Sequence, residues 1–378
     1  MSRIRSLLLA GAAFAVAAAA TTPALAQQNR YEAKVLVSDG FVPNTPVDPH
    51  LVNGWGVALS PTSPMWVSDN GTGLSTIYTV NSSGVGVPGP IVVTIPPAPG
   101  NTQGKPTGIV FNTTSVTATP DFLISPSAAV SRFIFATEDG LIAAWSGPPA
   151  TQAVQVYPPN GGTPAGAVYK GLALANNGTA NFLYAADFVG GKIDVFDKNF
   201  ALVTSPGGFV DPDLQQNFSP FNVQNINGHL FVTYAKREDD EDDETAGPSL
   251  GIVNEFDANG VLLRRFATRG RLNAPWGVAL APASFGKFGG ALLIGNFGDG
   301  TINAFDLQSA EFLGQLKGLN NRSLKLDGLW GMAFGNDHNN LSSGTLYFAA
   351  GPDDENHGVF GSVTPAPNEK GEAKADSD

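Results

Sequence analysis

The chain has 378 residues, of which only 14% are charged, and its 33 acidic residues against 21 Lys and Arg give a formal net charge of −12. It contains no cysteine, which excludes disulfides, thiolate catalysis, thiolate metal sites and iron–sulfur clusters. A chain this acidic repels phosphate backbones, so no nucleic-acid partner is expected, and 45 Gly with 28 Pro suit a turn-rich all-β protein.

The first element is a targeting segment. Arg3 and Arg5 are followed by an apolar run over 7–20 and by Ala24-Leu25-Ala26, an A-x-A cleavage signal. Residues 1–26 are expected to be a signal peptide cleaved after Ala26, and the absence of a twin arginine points to Sec export. Cleavage leaves 19 basic residues against 33 acidic. No later stretch is long and apolar enough for a span. The mature chain is therefore expected to be a periplasmic or secreted monomer without a membrane span.

Next come short apolar runs bounded by Gly, Asp and Asn, which read as strands. The clearest set is 276–280, 291–294 and 301–305, and the same triplet recurs. The first unit has 54–59 (GWGVAL), 65–70 and 75–78. The second has 106–111, 133–140 and 141–145; the third 170–174, 182–187 and 192–197. The fourth, with 220–223, 229–234 and 251–257, departs most from the pattern. The sixth has 329–334, 345–351 and 358–361.

Six units, none able to bury its faces alone, predict a six-bladed β-propeller with four-stranded antiparallel blades. Outer strands are expected at 261–266 and 311–316. None follows the sixth unit, so the strand at 31–37 is expected to join the last blade and close the ring. The domain is placed at 27–364, with a disordered tail at 365–378 and a solvated acidic loop at 238–244.

The phrase Leu272-x-x-Pro275-Trp276-Gly277-Val278-Ala279, repeated around Trp55-Gly56 and Trp330-Gly331, resembles NHL-type six-bladed propellers. The phrases FIFATEDGLIAAW (133–145) and LYAADFVGGKIDVFD (183–197) are similar to a secreted bacterial family of uncharacterised proteins, some with PEP-CTERM tails. The resemblance covers nearly the whole mature chain and implies fold but no catalytic residues. This chain lacks the sorting tail.

Candidate chemistry gathers at one predicted face. Strand ends supply Asp69, Asn70, Glu138, Asp139, Asp187, Asn296, Asp299 and Asp353, oxygen donors that calcium could use if six to eight converged. Asp and Asn also build tight turns, which is the plainer reason for their presence. Trp55, Trp276 and Trp330, with Thr107, Lys170 and Phe221 at equivalent positions, are expected to crowd the axis, either as a stacking mouth or as a plug. Asn53, Asn222, Asn273 and Asp327 precede or enter the inner strands, and Lys105, Lys170, Lys236 and Arg237 are nearby cations.

His50, His229, His338 and His357 lie in separate units and form no metal-spaced pair. The text match G-x-G-x-x-G at 84–89 is followed by Pro rather than a helix and is set aside. The sequence thus supports a binding or scaffold propeller whose small-molecule, glycan or envelope-protein partner sits at the channel mouth. The alternative is a calcium-dependent hydrolase or lyase acting on a lactone, ester or glycan.

Overall fold

The computed structural model describes residues 28–238 and 242–367. The expected signal peptide, residues 239–241 of the acidic run and residues 368–378 of the expected tail lie outside the described residues. The protein is a six-bladed β-propeller of antiparallel sheets.

Blade 1 runs from its inner strand Gly54–Ala58 through Met65–Asp69 and Leu74–Val80 to Gly86–Thr94. Blades 2, 3, 4 and 5 repeat this order, with inner strands Pro106–Phe111, Tyr169–Asn176, Phe218–Ile226 and Pro275–Leu280. Blade 6 is Leu329–Phe334, Leu346–Ala350 and Val359–Pro365, and its fourth strand is Tyr31–Ser38. Tyr31 pairs with Pro365, and Ala366 N–H donates to the Arg30 carbonyl at 2.9 Å, so pairing continues past residue 364.

Tyr31 locks this closure sideways. Its ring stacks on Phe288, and its hydroxyl donates to the Phe285 carbonyl and accepts from Phe288 N–H, both at 3.2 Å. Burial pushes its pKa up to about 12, so it remains a donor at any ordinary pH.

Why the apolar runs are continuous rather than alternating follows from blade stacking. Each blade is covered on both faces, so successive side chains along a strand serve different neighbours. Leu292 and Ile294 of blade 5 join Phe231 and Val253 of blade 4. Leu293 between them points the other way, into a cluster with Leu346 and Phe348 of blade 6. A cluster of this kind fills each of the six blade interfaces. Each fully buried Leu, Ile or Phe contributes roughly 1.5–3 kcal/mol relative to exposure.

The inner strands share two devices. All six carry a register irregularity near the second residue, counted in blade 4 from Pro220. A bulge of this kind bends the strand and re-aims a side chain, here toward the axis. The third residue is Gly in five blades: Gly56, Gly108, Gly171, Gly277 and Gly331. A Cβ on Gly108 would lie 2.4 Å from Leu172 N, and one on Gly331 2.4 Å from the Trp55 carbonyl. The strands approach backbone to backbone around the axis, and no side chain fits between them.

The fourth blade, least regular in sequence, has two of the longest strands, Phe218–Ile226 and His229–Arg237. Asn227 and Gly228 join them with φ of 54° and 89°, the pair of positive values that a type I′ hairpin turn requires. Glu244–Thr245, the end of the acidic run, adds a short strand to the same sheet.

Candidate functional site

The bulged second residues meet on the axis. Trp55, Phe221, Trp276 and Trp330 form one buried cluster with Phe188, and Phe297 packs against it. Trp55 stacks on Trp330 with centroids 3.7 Å apart, and Trp276 meets both edge-on. Phe297 covers the Trp330 ring at 4.0 Å. Two of the three indoles are tied as well as packed: Trp276 Nε1 donates to the Lys170 carbonyl at 3.0 Å, and Trp330 Nε1 to Asn53 Oδ1 at 3.1 Å, whereas Trp55 Nε1 is buried without a partner. These rings plug the channel: Trp55, Phe221, Trp276 and Trp330 are buried, and Phe297 is partly exposed over them.

Lys170 holds the same position in blade 3 and is fully buried. Its ammonium lies 5.1 Å from the Trp55 ring centre and 5.8 Å from that of Phe188. It donates to Glu138 Oε1 at 2.8 Å and Asp243 Oδ1 at 2.7 Å. Glu138 is held in turn by Asn70 Nδ2 at 2.9 Å. Burial alone would lower the Lys170 pKa, but the charges of Glu138, Glu244 and Asp243 outweigh it and raise the pKa. Lys170 is therefore a permanent cation set on an aromatic floor.

Two further carboxyls share this mouth. Burial raises Glu244 to about 7, against the pull of Lys170. Burial likewise raises Glu355 to about 7, and the charge of Glu244 adds to the rise. Glu355 accepts from Asn53 Nδ2 at 3.0 Å, which links it through Asn53 to Trp330. The mouth thus draws on five blades: Asn53 and Asn70 from blade 1, Glu138 from blade 2, Lys170 from blade 3, Asp243 and Glu244 from blade 4, Glu355 from blade 6.

Sequence reasoning missed Glu355, Asp243 and Glu244. The signal available was Lys170 itself, a lysine at an aromatic position that demands counter-ions. The acidic run at 238–244 is solvated only in part, since Asp243 reaches Lys170 and Glu244 is partly buried in the short strand. Lys236 pairs with Glu238 at 2.6 Å, and Arg237 donates its N–H to the Asn217 carbonyl at 2.7 Å.

Of the carboxylates and amides proposed for a metal, Glu138 reaches the axis. Asp187 accepts from Val168 and Gly190 N–H groups, and Asp299 from Thr301, so both build turns. Asn296 accepts from Asn273 N–H and donates to the Arg271 carbonyl. Asp69 is wholly buried with no partner at hydrogen-bond geometry, and burial raises its pKa well above the usual range. Asp353 is exposed, and its N–H donates to Asp327. Asp139, half-buried on its loop, accepts from Asn101.

Among the described residues no group of three or more His, Asp and Glu is placed to hold a metal ion. A calcium ion needs six to eight oxygens, whereas Glu138 and Asp243 are engaged by an ammonium already present.

The remaining candidates are spread around the ring. Asn222 donates to the Trp276 carbonyl, Asn273 accepts from Gly247 N–H at 2.6 Å, and Lys105 is exposed. Thr107 donates to the Tyr169 carbonyl at 2.6 Å. His50 and His357 each pair with a separate carboxylate, Asp48 and Asp39, and His229 pairs with Glu255. His338 is exposed.

No known family profile matches the chain. Two proteins of Acanthamoeba polyphaga mimivirus, both called uncharacterised, are similar along most of it. L690 is 32% identical over 348 residues, 88% of this chain and 85% of its own length. R648 is 31% identical over 323 residues, 84% and 76% respectively. Among solved structures, a glucose dehydrogenase matches 89% of this chain and 100% of its own with a TM-score of 0.52 at 14% identity, a likeness of fold alone. No helix among the described residues is long and apolar enough to cross a membrane.

Proposed function

We propose a function from the site itself, because the chain belongs to the family of the mimivirus proteins L690 and R648 and neither name assigns an activity. The chain is a binding or scaffold propeller, and its axial mouth receives a cationic group of a ligand or partner. The observation that carries this reading is the cage around Lys170, where carboxylates and aromatic faces already surround an ammonium. Glu244 and Glu355 lie beyond the two carboxylates that Lys170 engages. Burial raises the pKa of both, and a cation placed beside them would favour their ionised forms.

Calorimetric titration with a tetralysine peptide and with a neutral oligosaccharide tests this. Tetralysine is expected to bind more tightly at pH 8, where both glutamates are ionised, than at pH 6. Binding of the oligosaccharide alone, or tetralysine binding that does not change with pH, would sink the reading.

The second reading is a calcium-dependent hydrolase or lyase, favoured by Glu138 on the axis beside Asp243 and Glu244. It requires a thermal shift with calcium that EDTA reverses. We also propose export by Sec with cleavage after Ala26 and membership of a secreted bacterial family. N-terminal sequencing of the protein from a bacterial periplasm checks the cleavage: a first residue of Gln27 supports it, and an intact Met1 counts against it.

A further inference from the structure

At the end of the axis opposite the acidic mouth, the inner strands splay into a funnel of about 450 Å³. Its wall includes Val57, Leu59, Ile109, Phe111, Leu174 and Gln224. A void of about 20 Å³ continues inward to Asn222 and Trp276, where the aromatic plug begins. The funnel is therefore blind. No ionisable side chain lines either space.

One residue in this wall breaks the repeat. The fifth inner-strand position, counted in blade 4 from Pro220, is Ala58, Val110, Ala173, Ala279 and Ala333 in five blades, and Gln224 in blade 4. Gln224 lines both the funnel and the void beneath it. Its neighbour Asn225 is committed to the fold, donating to the Leu174 carbonyl at 2.8 Å and accepting from Gly228 N–H at 2.9 Å. No side-chain hydrogen bond ties Gln224 among the described residues. A carboxamide facing an uncharged cavity without a partner is a recognition group in waiting, since half-buried amides gain from being paired.

We propose that this funnel is a second binding site, for a slender neutral molecule with an apolar chain and one amide or hydroxyl head that pairs with Gln224. The volume falls in the range of small-molecule sites, roughly 300–1,000 Å³, and the wall combines apolar side chains with the polar Thr113, Gln224, Asn225 and Asn227. Charged ligands are disfavoured because nothing in the wall compensates a desolvated charge. The site is separated from the Lys170 mouth by the aromatic plug, so it stands or falls independently of the function proposed above.

Calorimetric titration of the full chain with octanamide and with octanoate at pH 8 tests it. Octanamide is expected to bind at one site, with octanoate at least about tenfold weaker. Gln224→Leu is expected to weaken octanamide about five- to tenfold with an unchanged melting temperature. Ala333→Phe, at a partly exposed wall position, is expected to abolish binding. Melting curves confirm that each variant is folded. Absence of octanamide binding, equal affinity for octanoate, or an unaltered affinity in folded Gln224→Leu would each overturn the proposal.

Discussion

Asn222 donates its side-chain amide to the main-chain carbonyl of Trp276 at 2.8 Å, at the one inner-strand position where the other five blades carry glycine. The fourth blade thus replaces a close backbone approach with a side-chain tie to its neighbour. Asn222→Gly is expected to lose about 1 kcal/mol, the net worth of a hydrogen bond. Gly108→Ala is expected to cost more, about 2–3 kcal/mol, because its Cβ would meet backbone rather than a flexible side chain. Urea denaturation of both variants checks the order; a harmless Gly108→Ala would contradict the ring packing.

Lys170→Met leaves Glu138 and Asp243 facing each other without their cation. Breaking a buried pair costs about 3–5 kcal/mol. Asp243 has 79% of its side chain exposed, so about 2–3 kcal/mol is expected. A Lys170→Met protein as stable as the parent at pH 8 would show that the ammonium is not held as described.

The two raised glutamates set a pH dependence. Both titrate near 7 in the folded state, above the ordinary value of 4.5. Between those values the folded chain holds protons that the unfolded chain releases. Their contribution is therefore fully present below about pH 4.5 and is lost as pH rises through 7. The double variant Glu244→Gln, Glu355→Gln is expected to be more stable than the parent at pH 8, by about 1–2 kcal/mol after solvent screening. Melting temperature followed from pH 5 to 8 is the measurement, and parallel curves for parent and variant would refute the assignment.

Tyr31→Phe removes the hydroxyl that bridges Phe285 and Phe288 and is expected to cost about 1 kcal/mol. Tyr31→Ala also empties a buried ring site, with about 3–5 kcal/mol expected. If both variants melt like the parent, the closing strand does not limit stability.

The fold was legible in the sequence because its signals are local. Trp-Gly runs, strand-ending Asp or Asn, and a surplus strand at 31–37 each sit within a few residues, and the repeat multiplies them. The hairpin at Asn227-Gly228 was equally local and went unread, which made blade 4 look more degraded than it is. The mouth was legible at Lys170, Glu138, Asn53 and Asn70. Glu355 and Asp243 arrive from loops of other blades, 185 and 73 residues away from Lys170 in the chain, and no short-range pattern brings them together. Asp187 and Asp299 looked like ligands because the residues that build tight turns are also those that bind metals.

The pairing of Tyr31–Ser38 with Val359–Pro365 carries a temporal consequence. A ribosome delivers the chain from its N-terminal side, and the sixth blade cannot complete its sheet until residues 359–365 have emerged. Until then residues 31–38 have no partner strand. Contacts so distant in sequence form slowly. The open five-blade arc is therefore the species most exposed to chaperones and proteases, and residues 359–365 decide when the ring closes.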